Sequence, residues 1–227
     1  MLLSTGRFYA TSAGGGGFYA PVLTDSMSNA APASSYTFTS RAIGTAHANR
    51  QLVLCIATMA PVGRAITSIT VDGSSTGLVI ELNDFSHSAF IARVPKSTGT
   101  TATFVVTFAG GIEAMALGIY DTRPITPTPV DKGSGGNSVT SFTIPDIAVS
   151  TGGFLIGCGL TYPQQTSAPV YNGVDTLTEN AELSVGGTYP ITVCFFSAST
   201  TENATTNDPG ISSASSGAKR AAFISFL

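Results

Sequence analysis

The chain has 227 residues, 43% hydrophobic and only 10% charged, with 10 Lys+Arg against 13 Asp+Glu. Roughly a quarter of a typical soluble domain is charged, so the polar surface here must consist of Ser, Thr, Asn and Gly. A net charge of −3 offers no electrostatic footprint for nucleic acid, and no apolar run reaches the ~18 residues of a spanning helix, so neither partner class is expected.

Residues 1–33 read apart from the rest. Phe8-Tyr9-Ala10 and Phe18-Tyr19-Ala20 repeat one tripeptide around the glycines 14–17, and Ala/Pro/Ser-rich text follows. Glycine runs bend freely and that text has linker composition. The segment is expected to be an extended attachment arm with Phe8, Tyr9, Phe18 and Tyr19 as anchors. The alternative is an edge strand folded onto its own domain. No apolar block of signal-peptide length opens the chain, so folding in a cytoplasm is expected.

From Tyr36 onward, strand-length runs alternate with Gly, Pro, Asn and Asp punctuation. The first series is Tyr36–Thr39, Gln51–Thr58, Ile66–Val71, Gly77–Glu81, Ser88–Val94, Thr101–Phe108 and Ala114–Tyr120. Gln51–Thr58, QLVLCIAT, has the character of a strand buried on both faces. A run like it returns at Phe154–Thr161, FLIGCGLT, and each is preceded by similar text, YTFTSRAI and TSFTIPDI. The two are expected to form the centre of the interior. Arg123 to Asn137, rich in Pro and Gly, reads as a linker, and residues 125–137 are expected to join pseudo-repeated halves 34–124 and 138–227. The second series is Val139–Ile144, Gly153–Thr161, Ala168–Tyr171, Thr188–Phe196 and Arg220–Phe226, with a surface loop over Ser197 to Ala218. The expected fold is all-β, an antiparallel, jelly-roll-like β-sandwich over residues 34–227.

Cys55, Cys158 and Cys194 lie in apolar runs without clustering. An odd count in that setting predicts buried, reduced thiols rather than disulfides or a zinc site. Gly73-Ser74-Ser75-Thr76-Gly77 fits the letters G-x-S-x-G, but strand-like text lies on both sides where a nucleophile elbow needs a following helix, so an Asp72-Gly73 turn is expected. His47 and His87 sit in turn-like text, the carboxylates are scattered, and Asn83-Asp84 and Asn207-Asp208 lack the dense alternating acids of a calcium loop. No catalytic, cofactor-binding or metal-binding residues are therefore expected, and no enzyme. A glycosidase pair drawn from distant strands remains the weakest of the alternatives.

The segment FTSRAIGTAHANRQLVLCIAT, followed by ITSITVDGSST, PKSTGTTATFVVTF and MALGIYD, resembles a type of tailed-bacteriophage structural protein over about residues 34 to 122. The resemblance implies a β-sandwich on the virion exterior, either a capsid decoration or head fibre protein or a tail fibre or tail-tip component. Its partners would be other virion proteins, copies of itself and a host-surface glycan, with assembly in the host cytoplasm. A lectin-like or receptor-binding module is the second reading.

Overall fold

The computed structural model describes residues 19–60, 62–83, 89–124, 126–165, 167–172, 177–188, 190–199 and 204–227. Phe8, Tyr9, Phe18 and His87 lie outside the described residues. Among the described residues there is no helix. The first strands are β1 (Val22–Asn29), β2 (Ala33–Ala42), β3 (Gln51–Met59), β4 (Ile66–Val71), β5 (Val79–Leu82), β6 (Ala89–Pro95), β7 (Thr101–Ile112) and β8 (Ala114–Thr122). The rest are β9 (Asp131–Thr143), β10 (Ile147–Val149), β11 (Phe154–Tyr162), β12 (Ser167–Asn172), β13 (Thr178–Val185), β14 (Ile191–Ser199) and β15 (Ala204–Phe226).

The described strands form three antiparallel sheets. One runs β1-β8-β3-β6-β5, a smaller one β2-β7-β4, and the largest β10-β15-β11-β14-β13, with β9 and β12 also paired to β15. Period-two alternation explains the stacking. Leu52, Leu54 and Ile56 of β3 point into a core shared with Tyr36, Phe38, Phe104 and Val106 of the small sheet. Val53, Cys55 and Ala57 point the other way, onto Ile156, Cys158, Leu160 and Phe195 of the large sheet. The far face of the large sheet closes over Phe196, Phe223, Ile211 and Ile147. β3 and β11 thus occupy the middles of their sheets, buried at every position but the last.

The pairing order of the first half returns in the second: β1-β8-β3-β6-β5 is matched by β9-β15-β11-β14-β13. The matched pairs β2-β7 and β1-β8 of the first half correspond to the two ends of one long ladder, β9-β15, whose register shifts between Ser212 and Gly217.

Three expectations change. Residues 22–29 of the expected arm form β1, hydrogen-bonded to β8 from Val22↔Asp121 to Asn29↔Met115, and residue 33 already belongs to β2. The linker expected over 125–137 is strand from Asp131 onward. Its glycines are packing positions, because a Cβ on Gly133 would meet Ile144 at 2.7 Å, one on Gly135 would meet Phe142 at 2.8 Å, and one on Gly136 would meet Arg220 at 2.1 Å. Of the loop expected over 197–218, residues 204–218 belong to β15. There Gly210 lies against the Phe142 carbonyl, where a Cβ would come within 2.0 Å. Composition reads such stretches as loops, since glycine and serine are scarce in strands for want of packing volume; here neighbouring side chains fill the space beside Gly133, Gly135 and Gly136, and the backbone of β9 approaches Gly210 directly.

Candidate functional site

The turn that fits G-x-S-x-G is a two-residue reversal. Asp72 and Gly73 have φ of 52° and 78°, and Val71 and Ser74 exchange both backbone hydrogen bonds at 2.8 and 3.1 Å, the geometry of a type I′ turn. It carries the chain from β4 in the small sheet to β5 at the edge of another. The Ser74 and Thr76 hydroxyls bond one another at 2.9 Å. His47 lies in an exposed turn, where its Nδ1 accepts the Asn49 N–H at 3.2 Å. These groups do not converge on one another.

What does converge lies at the end of the sandwich where the described chain begins. Arg50, 1% exposed, precedes β3 and donates to the carbonyls of Ile43 and Gly44 at 3.1 Å, Thr98 at 2.6 Å and Gly99 at 2.9 Å, and to that of Lys96. One guanidinium thereby ties the β2–β3 loop to the β6–β7 loop. Beside it, Asp121 at the end of β8 is 2% exposed. The Tyr19 hydroxyl donates to Asp121 Oδ2 at 3.2 Å, Arg123 approaches the same oxygen at 3.6 Å, and the Arg123 guanidinium lies 4.0 Å above the Tyr19 ring. Burial pushes the Asp121 carboxyl above its usual range against the opposing pull of Arg123, and burial together with the Asp121 charge raises the Tyr19 phenol. Gly44, at φ 78°, is required here, because a Cβ would stand 2.5 Å from Asp121 Oδ2. Asp121 Oδ1, Arg123 Nε and Gln51 Oε1 are buried without a hydrogen-bond partner among the described residues. Gln51 also lines a cleft of about 280 Å³ walled by Pro95, Pro124 and Pro127. Tyr19 is therefore an anchor engaged within its own chain.

A second cluster joins the two halves. Glu81 of β5, with a side chain 5% exposed, pairs with Arg93 of β6 and with Lys132 of β9, the latter at 2.6 Å. Burial raises its carboxyl, but the hydrogen bonds from Lys132 and Arg93 outweigh that and hold it below the usual carboxylate range. A third cluster, Glu179 and Glu182 of β13 with Cys194 of β14, brings one ligand atom from each within 4.8 Å of the others. Burial and the Glu182 charge raise the Glu179 carboxyl. Two carboxylates and one thiol are a sparse donor set for a metal, and an acidic pair at a strand edge is common without one. Lys219 is fully buried and donates to the Val139 carbonyl at 2.6 Å, and burial lowers its ammonium pKa. Sequence reasoning missed Arg50, Asp121 and Lys219 as buried charges; the only signal was the spacing Ile43-Gly44 and Arg50, which the sequence reading used for its resemblance alone.

No protein-family model, no curated protein and no solved structure matches the chain.

Proposed function

We propose that this chain is a non-enzymatic structural protein of a phage virion, a β-sandwich built from two copies of one β unit and held on the capsid or tail exterior by its amino-terminal segment. The observation that carries the reading is the Tyr19 clasp, which ties the first described residue to the sandwich directly after Phe18 in sequence, with Phe8 and Tyr9 further upstream. Aromatic side chains carry much of an interface's energy, so these rings serve as the anchors on a neighbouring virion protein while Tyr19 holds the strap to the sandwich whose edge β1 completes. The sparsely charged surface favours assembly over dispersal. The likeness of residues 34–122 to tailed-phage structural proteins points the same way, and host-surface glycan is the further partner on this reading.

The test is to raise antibody to the purified chain and label density-banded particles from cells carrying its gene. Label at a regular place on heads or tails is expected. A variant lacking residues 1–17, which keeps Tyr19 and β1, is expected to melt like the full chain yet be missing from particles. Absence of the full chain from particles overturns the virion reading, and normal incorporation of the shortened chain overturns the role of the segment.

A further inference from the structure

We propose that β1 is an exchangeable strand: residues 19–29 leave the β8 of their own chain and pair with the β8 of a second copy, joining copies through traded first strands. The inference stands on the chain's own geometry and does not depend on the virion reading.

β1 adds little to the core of its own sandwich. Of its side chains only Met27 is buried, whereas β8 is buried at every position. β8 therefore needs a first strand to satisfy its edge, while β1 depends on the core only through Met27 and the partly buried Leu23.

The register is instead set by polar contacts, and every acceptor or partner sits on the receiving body. Tyr19 donates to Asp121 and lies under Arg123. Thr24 Oγ1 bonds the carbonyls of Ala42 at 2.9 Å and Ile119 at 3.0 Å. Asp25 pairs with Arg41 at 2.8 Å and accepts the Ala42 N–H at 3.1 Å. A strand arriving from another copy makes the same set, so the traded and untraded states differ mainly at the hinge and in concentration.

The hinge is residues 30–32, ending in Pro32, and it passes from one sheet to another. It is short: the Asn29 side chain accepts the Ala31 N–H at 2.8 Å, and the Tyr36 hydroxyl donates to the Ala31 carbonyl at 2.9 Å. Three residues leave little slack for β1 to fold back onto its own β8, so shortening the hinge should favour exchange and lengthening it should oppose it. The second half makes the two corresponding pairings with the single unbroken strand β9. Straight passage at this junction is thus a conformation the fold already accommodates, and it is the one a traded β1 requires.

The experiment uses the full chain in three forms: unaltered, with five Gly/Ser residues inserted after Ala30, and with Ala30 and Ala31 deleted. Size-exclusion chromatography with light scattering, after long incubation at high concentration, is expected to give a mixture of monomer and dimer for the first, monomer for the second and dimer or larger for the third. To identify the contact, isotopically heavy and light copies carrying a photo-crosslinking residue at Ser28 are incubated together and irradiated. Cross-links joining β1 of one isotope to β8 peptides of the other are expected, in about half of the cross-linked dimers. An unaltered chain that stays monomeric, dimers whose β1–β8 cross-links all lie within one isotope, or a folded deletion variant that stays monomeric overturns the proposal. If the deletion variant does not fold, the cross-links of the unaltered chain decide.

Discussion

Leu54 and Ile56 of β3 fill the outer core of the first half, whereas the matching positions of β11 hold Gly157 and Gly159. The volume is supplied from elsewhere: Phe223 lies where a Cβ on Gly157 would come within 2.2 Å, and Ile211 where one on Gly159 would come within 3.1 Å. The inner faces, by contrast, keep their type, with Val53 and Cys55 opposite Ile156 and Cys158 in a shared core. The ends of the central strands also diverge. Arg50 closes the first half through loop carbonyls, while Gly153 closes the second by backbone contact, where a Cβ would meet the Phe226 carbonyl at 2.3 Å. The face on which the two halves meet constrains both sides at once, whereas each outer core needs only its own total volume, so the outer solutions are free to differ.

The largest effect is expected from breaking the end that has no counterpart in the second half. Arg50→Ala leaves the buried Ile43 carbonyl unpaired and unties the part-buried carbonyls of Gly44, Lys96, Thr98 and Gly99, and should cost about 3 kcal/mol, read as a fall in the urea midpoint of unfolding. Gly153→Ala probes the other end; if it costs nothing, the contrast between the ends fails.

Next, Gly157→Ala is expected to lose about 2–3 kcal/mol by overpacking against Phe223. The double variant Gly157→Ala with Phe223→Ala should recover only the share of that loss due to the ring, because the Ala222 carbonyl still stands 2.6 Å from the added Cβ. Equal melting of Gly157→Ala and the unaltered chain would show that the ring moves aside.

A smaller effect tests the tie between halves. Glu81→Gln should cost about 1–2 kcal/mol, since the pair with the better-buried Arg93 counts for more than that with the exposed Lys132. The Glu81 carboxyl is held below its unfolded value of about 4.3, so its contribution is complete above that pH and is lost as pH falls through the folded value. The variant should lack that part of the acid limb of a stability–pH curve, and an unchanged limb would remove Glu81 from the account.

The smallest effect is expected at the shared core, where Cys158 Sγ lies 3.7 Å from the Ile56 carbonyl. Cys55→Ser and Cys158→Ser should each cost about 1 kcal/mol, near the lower bound for a poorly paired buried hydroxyl. Burial, and then Cys158, raises the Cys55 thiol, so the native protein should resist thiol reagents until it unfolds. Rapid native labelling would place these residues at the surface.

The all-β class, the two central strands and the buried thiols followed from the sequence, because strand-length apolar runs and a Ser/Thr/Gly-rich complement leave few alternatives. The turn at Asp72-Gly73 was legible for the same local reason. Which strands pair was not. β1 reads as arm text because a strand that buries one side chain carries no apolar period; the glycines of β9 read as linker because their packing volume belongs to Ile144, Phe142 and Arg220, and Gly210 of β15 reads as loop because what it accommodates is the backbone of a distant strand. The clasp was equally hidden, since Tyr19, Asp121 and Arg123 meet only after β1 has paired with β8. Local composition fixes which segments extend, whereas register, sheet membership and the placing of buried charges depend on volumes and partners contributed by residues distant in the chain.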